Sequence, residues 1–193
     1  MRKVDPVKHE AKRLEILQAA GRCFLRDGFR GASVSSICKE AGISAGHLYH
    51  YFDNKEAMIE AMIETELSRA AILRVAPTAD PVVVLLEEFE RRIAFRGGAL
   101  LFDVLAEASR NPAIAGLVRR QSRIVHGWVA ELLRRGQEQG HVEATLDVDA
   151  TVRILVCWMD AAKAMVIRDP DLDPRATTQS GEQFLLRLLR PIG

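Results

Sequence analysis

Apolar residues recur every three or four positions through almost the whole chain. Leu14, Leu17, Ala20 and Phe24 share one face of a segment over 8–27. The run VVVLL at 82–86 looks β-like alone. Leu85, Leu86, Phe89, Ile93 and Phe95 extend it at helical spacing, and Pro81 suits a first helical turn, so it reads as a helix. The pattern predicts helices over 8–27, 34–40, 45–51, 54–75, 81–96, 98–110, 112–138, 148–168 and 176–190. Breaks fall at turn-forming residues: Gly28, Gly42, Pro77, Gly97-Gly98, Asn111-Pro112, Gly140 and the loop from Arg168 to Pro174. The expected class is all-α with about nine helices, divided into a head, 1–53, and a helical body, 54–193.

The stretch VSSICKEAGISAGHLYHYF, 34–52, carries the most information. It reads as two short helices joined by a tight turn at Gly42, with Cys38 small enough for the pair to approach. Ile37, Ile43 and Leu48 are apolar where the pair must pack. Ser33 caps the first helix and Ser44 the second, and Asn54 or Asp53 caps the helix that follows. Ala45, Gly46, His47, Tyr49 and His50 then occupy the first turns of the second helix. A helix docked in a DNA major groove presents those turns to bases and phosphates.

Charge changes the picture slightly. Up to Lys55 there are ten basic and six acidic residues, an excess of four; the whole chain carries +1, so the rest carries −3. A basic head on an acidic body suits contact with phosphate at one end. Cys23, Cys38 and Cys157 lie in apolar helical patterns at spacings that fit no metal site, which points to a reducing compartment. No apolar stretch escapes charges long enough to span a membrane, and the N-terminus lacks a leader pattern. The expected location is cytoplasmic.

The run ILQAAGRCFLRDGFRGASVSSICKEAGISAGHLYHYFDNKEAM, 16–58, resembles the TetR/AcrR-type one-component transcriptional regulators. Gly28-Phe29, Ser33-Val34, Ile37, Ala41 to Ser44, Gly46, Leu48-Tyr49, Tyr51-Phe52 and Lys55-Glu56 fall in one register with that pattern. The resemblance implies a homodimer on a near-palindromic operator of double-stranded DNA, released by a small-molecule effector held in the body. It also implies roles. Ser33, Tyr49 and Lys55 would contact phosphates, Gly46 would let the backbone approach the duplex, and Ala45, His47 and His50 would face bases or nearby phosphates. Many relatives carry Lys or Pro at the position of Ala45 and Thr or Ser at that of His47, so the operator sequence is not transferable.

The body offers two further expectations. Val152, Leu155, Val156, Met159 and Ala162 form one stripe, and Phe184, Leu185, Leu188 and Leu189 another. They can build a four-helix dimer interface, or pack only within one subunit. Effector-pocket candidates are Phe89, Arg92, Ile93 and Arg96 in one helix, Phe102 and Leu105 in the next, and His126, Trp128 and Val129 in the long one. Trp158, Met159, Asp160 and Met165 complete the set. Asp160 and Lys163 stand out in an apolar helix as a polar anchor, a mutual pair or solvated groups; Arg92 and Arg96 suit an anionic effector.

No phosphate-binding glycine loop, nucleophile elbow or His-Glu-x-x-His appears, and no cofactor is implied. His47 and His50 lack a third partner for a metal. The sequence therefore points to a regulator and not an enzyme. Two alternatives keep part of the reading: a DNA-binding dimer without an effector, or a small-molecule-binding dimer without DNA binding.

Overall fold

In the computed structural model residues 5–73, 80–94 and 98–190 are described, 66–73 by backbone alone. Among them every regular element is an α-helix: α1 Pro6–Gly31, α2 Val34–Ala41, α3 Ala45–Tyr49, α4 Lys55–Leu73, α5 Pro81–Ala94, α6 Gly98–Ala108, α7 Pro112–Glu138, α8 Val148–Arg168 and α9 Pro174–Leu189. The all-α expectation holds. The expected ends at 75 and 96, with Pro77, Phe95, Arg96 and Gly97, lie outside the described residues.

Capping explains most helix starts. Asp5, Ser33, Ser44, Asp147 and Asp173 each accept a backbone N–H in the first turn of the helix they precede. Asn54 caps α4, accepting from the Ala57 N–H at 2.8 Å. Pro174 lets α9 begin two residues earlier than periodicity suggests. The expected stop at Gly28 is a kink: Gly28 adopts φ 73°, ψ 163°, and a further helical turn runs to Gly31.

The chain divides into two compact units, 1–73 with 100–118, and 74–99 with 119–193. The division falls inside α6 and inside α7. It differs from a functional split at 53, because α4 and most of α6 pack with the head. The first unit is centred on Ile16, Phe24, Ile37, Leu48, Met58 and Ile114. The second is centred on Leu85, Phe89, Leu133, Leu155 and Leu185.

Packing in the second unit is close enough to demand glycine. Phe89 stacks on Trp158 with centroids 4.1 Å apart. A Cβ on Gly181 would sit 2.8 Å from the Phe89 ring and 3.3 Å from Trp158. Gly181→Ala is therefore expected to cost about 2 kcal/mol by overpacking, read as a lower denaturant midpoint at unchanged slope.

Two expectations need correction. Cys157 is exposed, whereas Cys23 and Cys38 are buried. Val152, Leu155, Met159, Ala162, Leu185 and Leu189 point into their own subunit's core and are at most 5% exposed. Only Phe184 of the expected dimer stripe is exposed, with Val156 and Leu188 half-buried. Solvent-facing apolar positions on α8 are instead Ile154, Met165 and Ile167, with Cys157 and Ala161 between them.

Candidate nucleic-acid interface

The turn between α2 and α3 closes by two backbone bonds. Gly42 N–H donates to Lys39 O at 3.3 Å and Ile43 N–H to Cys38 O at 3.0 Å. Gly42 sits at φ 64°, ψ 36°, a left-handed conformation that favours glycine. Ser33 and Ser36 cap α2 reciprocally: each backbone N–H donates to the other's hydroxyl at 3.0 Å. Ser44 Oγ accepts from the His47 N–H at 3.2 Å.

This short second helix has one inward residue. Leu48 is fully buried, and its carbonyl accepts from Tyr51 N–H and Phe52 N–H, ending α3 two residues earlier than expected. Ser33, Ser44, Ala45, Gly46, His47, Tyr49 and His50 all face solvent. Nothing lies within 4 Å of where a Gly46 Cβ would be. The fold itself gives no reason for glycine there, and glycine weakens a helix by about 1 kcal/mol. The rest of the exposed face is aromatic. His9 of α1 stacks on Tyr51 at 4.6 Å, and His47 and His50 approach the same ring at 5.5 Å each.

Lys55 is engaged within the head. Its ammonium donates to Phe29 O at 2.9 Å, Arg30 O at 3.4 Å and Ala32 O at 3.0 Å, and lies 4.9 Å from the Phe29 ring centre. It is spent on the open carbonyls at the end of α1. Several of the head's charges are paired with one another, which leaves its excess of four unchanged. Arg22 donates to Glu40 at 2.6 Å and Arg26 to Asp27 at 2.9 Å, holding both carboxyls below the usual carboxylate range. Lys39, exposed at the end of α2, has no ion pair among the described residues. Sequence reasoning counted these charges without seeing which were already paired.

The same end of α1 is tied to α6. Phe29 N–H donates to Asp103 Oδ2 at 3.3 Å, and Arg30 Nε to Glu107 at 2.7 Å. The Arg30 hydrogen bond holds Glu107 below the usual range. Asn111 Nδ2 donates to Glu56 of α4 at 3.2 Å.

In the second unit a cavity of ≈ 10 Å³ is lined by four of the pocket candidates, Arg92, Trp128, Val129 and Met159, and by Leu85, Glu88, Val125, Leu155 and Val156. That is room for about one water. Phe89, Ile93 and Trp158 belong to the packed core beside it. Phe102 and Leu105 belong to the first unit. Met165 is on the surface, His126 is half-buried away from the cavity lining, and Arg96 lies outside the described residues. Among the described residues no cluster of His, Cys, Asp and Glu suits a metal ion, and no helix is long and apolar enough to cross a membrane.

A capped helix pair, locked by a tight turn and presenting one face of its second helix, defines a helix-turn-helix DNA-binding transcriptional regulator. The chain belongs to the TetR family: residues 16–62 match the bacterial regulatory proteins of that family, and 86–190 match the C-terminal part of BetI-type transcriptional repressors. It is 33% identical to the transcriptional regulator UidR of Escherichia coli K12, over 79% of this chain and 81% of that one. It is 28% identical to the transcriptional repressor KstR2 of Mycobacterium tuberculosis, over 93% and 92%. Salmonella enterica GusR superposes with a TM-score of 0.78 at 27% identity, covering 93% of this chain and 95% of that structure. These relatives are regulators, and the chain is not an enzyme.

Proposed function

We propose that the protein is a cytoplasmic repressor that binds a near-palindromic operator as a homodimer and leaves it when a small molecule enters the second unit. The observation that carries the DNA reading is the geometry of α3: Leu48 is fully buried while Ala45, Gly46, His47, Tyr49 and His50 all face out. Ala45 offers a methyl surface for thymine, and His47 and His50 offer ring nitrogens that donate or accept according to tautomer. Ser33 stands at the start of α2, where a phosphate is favoured by the free N–H groups.

Two heads spaced by a dimer would read half-sites about one helical turn apart. Selection from a random DNA pool by the purified protein tests this, since recovery of an unrelated or asymmetric sequence set would overturn it. Tyr49 makes a sharper probe. It is 51% exposed and its hydroxyl has no partner among the described residues. Tyr49→Phe should leave thermal stability unchanged and weaken operator binding roughly tenfold, the worth of one hydrogen bond to a charged group. Unchanged retardation in gels would remove Tyr49 from the interface.

Release would be a shift between two conformations, limited by the effector's differential affinity for them. The polar ties from Asp103 and Glu107 to the end of α1 make α6 the element whose movement the head would feel. A reading without any effector draws support from the small cavity, ≈ 10 Å³.

A further inference from the structure

One cluster in the second unit is not explained by packing. Arg92 of α5 donates from Nε to Glu88 at 2.7 Å and from Nη1 to Asp160 of α8 at 2.8 Å. Arg91 donates twice more to Glu88, at 2.8 Å each. Both carboxylates are thereby engaged by guanidinium groups. Lys163, one turn beyond Asp160, is half-buried and has no hydrogen bond or ion pair among the described residues. Burial first, then the charge of Arg92, lowers its affinity for the proton against the pull of Asp160 and Glu88. Among the described residues the two arginines thus take up Glu88 and Asp160, and Lys163 is left as a half-buried cation without an ion pair. Such a charge is costly unless an anion joins it.

The two pairs around Arg92 are not equivalent. The side chains of Arg92 and Glu88 are 16% and 11% exposed, whereas that of Asp160 is 38% exposed. Asp160 can return to water at small cost; Arg92 cannot. Arg92 also borders the cavity whose other walls include Trp128, Val125, Val156 and Met159.

Resting on the effector reading above, we propose that the effector is a carboxylate-type monoanion with an apolar or aromatic body. Its carboxylate takes the place of Asp160 on Arg92 and pairs with Lys163, while its body widens the cavity against Trp128. In the free protein Asp160 is the stand-in for that group. Quaternary or primary ammonium ligands are disfavoured, because the half-buried ammonium of Lys163 would repel them.

The test uses the full chain and matched probes: straight-chain monocarboxylates from butyrate to decanoate and phenylacetate, with the corresponding amides and amines. Binding is read by melting temperature and tryptophan emission, and release by retardation of the selected operator. At least one carboxylate should bind, its amide and amine at least tenfold more weakly. Lys163→Met should weaken that carboxylate at least tenfold, Lys163→Arg should restore it, and Asp160→Asn should tighten it. Without any ligand Lys163→Met should melt no lower than the parent, because it removes an unpaired half-buried charge. Equal binding of amide and acid, or carboxylate binding indifferent to Lys163, overturns the proposal. If an amide also frees the operator, the effector reading survives that result. If no probe of any charge changes melting or operator occupancy, both fall together.

Discussion

Lys55→Met is expected to destabilise the first unit by about 3 kcal/mol while leaving the salt dependence of operator binding unchanged. The ammonium answers three carbonyls at the end of α1. Two of those bonds are partly buried, and methionine offers them nothing. A hydrogen bond involving a charged group contributes about 1.5–3 kcal/mol, and an acceptor left unmade inside a protein costs about 1–3 kcal/mol. Methionine keeps the aliphatic stem over Phe29, so the loss isolates the charge. The loss should appear as a drop in melting temperature on the order of 10 °C. A lysine that neutralised a phosphate would behave differently: its loss would lower the slope of log affinity against log salt by about one and leave melting alone. Measuring both quantities on one variant decides between the two roles.

Ile154→Arg is expected to yield a monomer that keeps its helix content and binds operator at least about 100-fold more weakly. Ile154 is 56% exposed. Cys157, Ala161 and Met165 follow it at intervals of three and four along the outer face of α8, and Phe184 is exposed on α9. An apolar stripe at helical spacing facing water suits burial against a second copy by a two-fold axis. Arginine there needs no local rearrangement in an isolated subunit, but two of them across an axis repel. Losing the partner head turns one bivalent contact into two weak ones, a difference of about 100- to 10,000-fold. Light scattering on eluted protein measures the first effect and operator titration the second. A persistent dimer would move the interface elsewhere. Leu155→Ala is the contrast: Leu155 is fully buried, so its loss should cost about 2–5 kcal/mol of stability with the oligomeric state kept.

The comparison of those neighbours shows where periodicity stops being informative. A helix with apolar residues on two faces has two stripes, and α8 is such a helix. Spacing alone favours the fuller stripe, Val152 to Ala162, which the subunit uses for its own core; the thinner one at Ile154 faces solvent. The head was legible in more detail, because its constraints are local: Ser33, Gly42 and Ser44 each act on backbone a few positions away. The carbonyl partners of Lys55 were not legible, because Phe29, Arg30 and Ala32 are more than twenty residues upstream. Charge counting had the same blindness, since the pairing of Arg22 with Glu40 depends on how α1 and α2 pack. The surroundings of Arg92 and Asp160 join α5 to α8 across 68 positions, and only folding brings them together.

The kink at Gly28 has a consequence at the level of the gene. Its backbone lies in a region essentially reserved for glycine, and an added Cβ would stand 3.2 Å from the Asp103 carboxylate that anchors the following N–H. Any first- or second-base change in a glycine codon either installs a side chain or ends translation. Point mutation at this codon therefore has no neutral step except at the wobble base, and random mutagenesis screened for a working regulator should return position 28 silent or untouched.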